Sequence, residues 1–142
     1  MNVHAYIQFG GKCAEAFAYY EQHLGATNKL LMPFAGTPGA EMAPPEWRDK
    51  VMHGSLSIGP DVVMGSDGMP GTGGDGMKNC SLALSLDSPE QARTVFDALA
   101  DGGKVDMPLA PSFFAEQFGM VVDRFGVSWM VICEGARAQA PA

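Results

Sequence analysis

The chain has 142 residues, 46% of them hydrophobic, with a formal charge of -7 and a pI near 4.7. That length admits one domain with a real core or two small fused modules. Nine scattered basic residues argue against nucleic acid and anionic membranes, because phosphate binding needs clustered Lys and Arg. No apolar run approaches the roughly 18–20 residues of a membrane span. The first residues, "MNVHAYIQFGGK", alternate like a strand and lack the charged and apolar regions of a secretion signal, so a cytoplasmic location is expected.

Residues 3–9, "VHAYIQF", alternate with period two: Val3, Ala5, Ile7 and Phe9 on one face, His4, Tyr6 and Gln8 on the other. Gly10 and Gly11 end this strand. A helical stripe of Cys13, Phe17, Tyr20 and Leu24 follows, with Gly25 placed as its left-handed cap. The segment 35–50 is rich in Pro and Gly and carries Trp47. "VMHGSLSIG" then leads through Pro60 and Asp61 into "VVMGSD", a pair of strands. "GSDGMPGTGGDGMK", 65–78, has neither a Lys-Ser/Thr nor a following helix, so it predicts a flexible linker rather than a phosphate cradle.

The second half repeats the first. "CSLALSLD" predicts a strand with Cys80, Leu82, Leu84 and Leu86 on one face. Ser88 is a candidate N-cap, Pro89 suits the first helical position, and Gln91 completes a capping box. Ala92, Val95, Phe96 and Leu99 form the stripe of this second helix, which Gly102 ends. "EQFGMVVD" and "VSWMVIC" are its closing strands, the latter with Trp129 and Val131 facing the packed layer. Gly25 and Gly102 lie 77 positions apart, as do His4 and Ser81. The chain is therefore expected to be a single domain of two strand–helix–strand–strand–strand modules, about 1–66 and 79–134, joined by a Gly-rich linker at 67–78. The three cysteines are widely spaced in apolar segments and are expected to be buried free thiols rather than a disulfide framework or zinc site.

The repeat, with "FGGKCAEAFAYYEQHLGA", "MHGSLSIG", "VMGSDGMP", "ALADGGKV" and "FGMVVDRFGVSWMV", resembles the vicinal oxygen chelate superfamily. That superfamily includes glyoxalase I, the bleomycin-resistance proteins and the extradiol dioxygenases, and the PhnB-like branch is the most similar. The resemblance covers about residues 3–134. It implies an α+β fold of paired βαβββ modules, with mixed sheets curled around a cleft, and a homodimer. Metal-dependent members hold a divalent ion on His and Glu side chains from the first and last strands of each module. The matching positions here are His4, Met64, Ser81 and Met130.

That set lacks the anionic and imidazole donors that a catalytic Ni, Zn or Fe ion requires, since thioethers suit soft ions and a hydroxyl is a poor ligand. No metal or other cofactor is therefore expected. The alternative is a metal-dependent lyase, isomerase or dioxygenase with a rearranged site that draws on His4, His53 and an acid such as Glu116 or Asp123. His4 reads either as an edge imidazole bonded to Tyr6 or Gln8, or as a ligand-contacting acid or base, the tentative catalytic residue. His53 reads as a hydrogen-bonded structural histidine or a polar group of the pocket. His4, Tyr6, Gln8, His53, Met64, Ser81 and Met130 form the candidate ligand-binding set. The expected function is binding of a small, partly apolar molecule, with enzymatic activity left open. Some proteins similar to this branch are described as demethylubiquinone methyltransferase-like, but no S-adenosylmethionine-binding signature is present.

Overall fold

A computed structural model describes residues 1–135 and divides the chain into two compact units, Met1–Asp75 and Gly76–Ala142. The first unit contains β1 (Ala5–Gln8), α1 (Cys13–Leu24), β2 (Thr27–Pro33), β3 (Val51–Ile58) and β4 (Asp61–Ser66). Its sheet order is β1-β4-β3-β2, with β1 parallel to β4 and the other neighbours antiparallel. The second unit contains β5 (Leu82–Ser85), α2 (Pro89–Ala100), β6 (Lys104–Ala110), β7 (Gln117–Val122) and β8 (Ser128–Cys133). Its order, β5-β8-β7-β6, repeats the first, again with the outer pair β5 and β8 parallel. The fold is α+β, as expected: two mixed four-stranded sheets, each with one helix. No helix among the described residues is long and apolar enough to cross a membrane.

The register of 77 holds for the first two strands of each unit, since β1 and β5, and likewise β2 and β6, start that far apart, whereas β3 and β7 start 66 apart and β4 and β8 67 apart. The buried helix stripes are two residues out of step with it: Cys13, Ala16, Phe17 and Tyr20 correspond in pattern to Ala92, Val95, Phe96 and Leu99. Each helix lays an aromatic ring on a glycine of the third strand in its unit. A Cβ on Gly54 would lie 3.0 Å from Phe17 Cε2, and one on Gly119 would lie 2.7 Å from Phe96 Cε2 and 2.9 Å from the Leu109 Cα. Only a residue without a side chain lets the ring approach that closely.

Both helix ends follow their sequence signals. Gly25 adopts φ 67° and its N–H bonds the Tyr20 carbonyl, the left-handed termination that glycine permits without strain. Ser88 Oγ accepts from the Gln91 N–H at 3.1 Å, with Pro89 in the first turn. Gln91 reaches back one residue further than a capping box predicts, its carbonyl oxygen accepting from the Asp87 N–H at 3.2 Å.

Three expectations of burial are corrected. Val3 precedes β1 and is 93% exposed, because the strand pairs with β4 only from Ala5 onward. Leu24, in the last residue of α1, is half-buried, and the core there is completed by Ala26. Cys80 lies ahead of β5 and is exposed, whereas Cys13 and Cys133 are buried.

The segment 67–78 also differs from a free linker. Its first residue, Asp67, is 1% exposed. Its Oδ1 accepts from the N–H groups of Gly11 and Cys13 at 3.0 and 2.8 Å, and its Oδ2 from that of Val51 at 2.8 Å. The Gly68 carbonyl accepts from the Trp47 indole at 2.8 Å, which ties the Pro-rich connection to the end of β4.

Candidate functional site

In each unit the helix covers one sheet face and leaves the other open. In the first unit the register places Tyr6, Met64, Ser55 and Leu30 in one row across β1, β4, β3 and β2 on the open face. His53 and Met32 pair on the same face in the next row. The apolar residues of this face are unusually open, with Tyr6 and Leu30 each 50% exposed and Met32 38% exposed. On this face the Tyr6 hydroxyl and His53 Nδ1 lie 3.2 Å apart, with ring centroids separated by 5.7 Å. When Nδ1 is unprotonated the hydroxyl donates to it; when the imidazole is charged, Nδ1–H donates to the phenolic oxygen.

Sequence reasoning left the facing of His53 open; the structure brings it to Tyr6 and, across the sheet, near Met64. His4 is not part of this arrangement. It precedes β1, is exposed, and has no hydrogen bond to Tyr6 or Gln8, so the edge-imidazole expectation is corrected. Gln8 packs against the glycine-rich segment: a Cβ on Gly73 would meet its Cβ at 3.0 Å, and one on Gly68 its Oε1 at 3.5 Å.

The two remaining candidates are in the second unit. Ser81 precedes β5 and is half-buried. Met130 sits on the open face of β8, opposite Ala83 and Met120, and Met120 in turn pairs with Met107. Trp129 and Val131 face the helix as expected, 3% and 0% exposed. Ser55, Leu30, Met32, Met107 and Met120 were not singled out from sequence. Alternation in β3 and β7 carries a signal for Ser55 and Met120, but the bulged strands β2 and β6 have no regular period to read.

The four positions that correspond to the superfamily's ligands provide one imidazole, one hydroxyl and two thioethers, which does not suit a catalytic divalent ion. Among the described residues no three His, Cys, Asp or Glu side chains group as metal ligands. Two of the groups in the rearranged alternative already have partners within the chain. His53 Nδ1 is engaged by Tyr6. Asp123 is 4% exposed, and its carboxylate accepts from the N–H groups of Phe125 and Val127 and from the Trp129 indole.

The buried thiols are poor nucleophiles. Burial, and next the Asp67 carboxylate, push the Cys13 thiol up from 9.0 to about 12. Burial also raises Cys133, with Glu116, Asp87 and Glu90 adding to it. Since reactivity follows the thiolate and its access, a disulfide reagent at pH 8 should titrate one thiol, Cys80, rapidly in the native protein and three in denaturant. A thiol whose folded pKa is raised stabilises fully below its unfolded value, so the contribution from Cys13 should fall away as pH rises from about 9 toward 12. Denaturation midpoints across that range, compared with a Cys13→Ala reference, check the slope.

Comparison with known proteins places the chain. The family model described as 3-demethylubiquinone-9 3-methyltransferase matches residues 2–132. The chain belongs to this family. Within the same group of similar proteins, YjdN of Escherichia coli K12 is 34% identical over 141 residues, covering 92% of this chain and 94% of YjdN. The crystal structure of PA1353 from Pseudomonas aeruginosa is 46% identical with a TM-score of 0.84, over 95% of this chain and 98% of that one. A Bacillus cereus protein, described as a putative 3-demethylubiquinone-9 3-methyltransferase and PhnB protein, shares the fold at 22% identity and TM-score 0.77, over 94% of this chain and 99% of its own. A glyoxalase/bleomycin resistance protein/dioxygenase family enzyme from Burkholderia phytofirmans has the same fold more distantly, at 13% identity and TM-score 0.58 over 93% and 95% of the two chains. The glyoxalase/bleomycin-resistance fold expected from sequence is thereby shown, and the chain shares it with the PhnB protein of Bacillus cereus.

Proposed function

We propose that this PhnB-like protein binds a small, partly apolar molecule on the open sheet face of its first unit, without the divalent ion used by metal-dependent relatives of the fold. The observation that carries this reading is the Tyr6–His53 hydrogen bond on the same open face as Met64, Leu30 and Met32. An apolar floor with one polar pair fixes the orientation of a ligand that has one polar end. The same pair can give or take a proton at that end, which is compatible with either a binding protein or an enzyme. A methyltransferase reading finds less support. Each sheet is antiparallel apart from one pair of strands, and the Gly10–Gly11 turn between β1 and α1 lacks the G-x-G-x-x-G spacing that holds nucleotide-bearing cofactors in doubly wound folds.

Native mass spectrometry with elemental analysis, on untagged protein, tests the reading as a whole. The expected species is a cytoplasmic homodimer of twice the 15.0 kDa chain, free of stoichiometric metal and able to retain a small organic molecule. Tightly held Ni, Zn, Mn or Fe at one per chain would overturn the metal-free reading in favour of a rearranged glyoxalase-type site. A monomer mass at micromolar concentration would overturn the dimer. For the site itself, a panel of phenols and naphthols provides the probes. Tyr6→Phe and His53→Ala should each weaken the best binder about two- to tenfold, the worth of one hydrogen bond. Unchanged titration curves in both variants would remove the polar pair from the site.

A further inference from the structure

The sequence contains three Asp-Gly pairs: Asp67–Gly68, Asp75–Gly76 and Asp101–Gly102. An aspartate followed by glycine is open to attack on its own side chain, because no Cβ shields the next backbone nitrogen or restricts its rotation. Ring closure needs a carboxyl group free of partners and a backbone free to bring that nitrogen to Cγ. Asp67 has neither freedom. It is 1% exposed, both its carboxylate oxygens accept backbone N–H groups, and the Gly68 N–H is itself engaged, donating to Ser66 Oγ at 2.9 Å. Asp101 is exposed but held by Arg124, whose Nη2 lies 3.3 Å from the carboxylate and whose guanidinium donates to the Asp101 carbonyl at 3.1 and 3.2 Å. Its ψ of 116° also turns the Gly102 nitrogen away from its own Cβ, and its N–H is fixed to the Asp97 carbonyl at 3.1 Å.

Asp75 differs from both. It is exposed, and among the described residues no hydrogen bond or ion pair holds its carboxylate, its N–H or its carbonyl. Its neighbours Gly74 and Gly76 have φ of 80° and 85°, and each is seated within its own unit. A Cβ on Gly10 would lie 3.0 Å from the Gly74 Cα. A Cβ on Gly126 would lie 2.9 Å from the Gly76 Cα, and the Met77 N–H donates to the Gly126 carbonyl at 3.0 Å. We infer that Asp75–Gly76 is a site of spontaneous aspartate isomerisation in the folded protein, independent of the ligand site. The Gly76 nitrogen attacks the Asp75 carboxyl carbon, so that an N–Cγ bond forms, a Cγ–O bond breaks, and the displaced oxygen leaves as water with the nitrogen's proton. Water then opens the cyclic imide. Opening at Cγ restores aspartate; opening at the α-carbonyl leaves isoaspartate, with the main chain routed through Cβ and a free α-carboxylate. No oxidant or cofactor is consumed. The extra main-chain methylene falls at the bond that divides the two compact units.

The test is incubation of the whole chain for weeks in mildly acidic buffer at physiological temperature, with a parallel sample in urea. Peptides covering the three pairs are then read by electron-transfer fragmentation, which separates isoaspartate from aspartate at equal mass. An isoaspartyl O-methyltransferase with labelled S-adenosylmethionine independently marks the new α-carboxylate. In the folded chain Asp75 should convert at least about tenfold faster than Asp67 or Asp101, since those two must first release their hydrogen bonds. In urea the three rates should converge, because the fold no longer protects any of them. Asp75→Glu, at an exposed position, should remove most of the methylation signal while leaving the circular dichroism spectrum unchanged. Three results would each overturn the inference: no isoaspartate at Asp75 in the folded chain, conversion of Asp67 or Asp101 as fast as Asp75, or a tenfold gap that persists in urea.

Discussion

Replacing Asp67 with alanine should cost the first unit about 3–6 kcal/mol, the largest effect expected of any single substitution outside the helix–sheet core. The side chain removed is a buried carboxylate serving three backbone N–H groups, two at the start of α1 and one at the start of β3. Each donor left buried without a partner costs roughly 1–3 kcal/mol. Against a typical domain stability of about 5–15 kcal/mol, that is enough to unfold much of the population at moderate urea. Asp67→Asn keeps one acceptor and should lose roughly half as much. Asp61→Ala, on the exposed end of β4, is the control and should stay within about 0.5 kcal/mol. A loss below 1 kcal/mol for Asp67→Ala would mean that the three N–H groups find other partners.

The second unit has its own buried carboxylate. Asp123→Ala should destabilise by about 2–5 kcal/mol, because it strands the Phe125 and Val127 N–H groups and the indole N–H of Trp129, held at 2.9, 3.0 and 2.9 Å. Trp129 also gives a local readout. In a Trp47→Phe background it is the remaining tryptophan, and its emission should shift to the red if the indole, 3% exposed in the native protein, gains water. Denaturation without a change in native emission would show that the carboxylate holds the turn and not the ring.

These two aspartates mark where sequence reading stops. The helices were legible because their signals are local: a cap and the residue it serves are three positions apart at Ser88 and Gln91, and the stripes recur within single turns. The tandem repeat was legible for the same reason, since copies of a local pattern align without knowledge of contacts. Asp67 looks like a turn residue in a glycine-rich stretch because its donors lie 54 and 56 positions away in one direction and 16 in the same direction, at Cys13, Gly11 and Val51. Nothing in the neighbouring residues records that pairing. Tyr6 and His53, 47 positions apart, present the same difficulty. Alternation assigned Tyr6 to a face, but only the sheet register shows that His53 shares it. The strands β2 and β6 were harder still, being largely exposed and interrupted by register shifts, so no burial pattern reaches the sequence.

Those same interrupted strands have a consequence for how the molecule behaves in a crowded solution. A sheet is open to self-association along its unpaired outer strands as well as across its faces. Here the outer strands β1 and β5 are four residues long. The outer strands at the other side, β2 and β6, carry Pro33 and Pro108 and two register shifts each. A neighbour seeking a straight backbone ladder finds either too few amides or a broken series of them. The chain can thus leave methionine and aromatic side chains exposed while its edges discourage growth into fibrils.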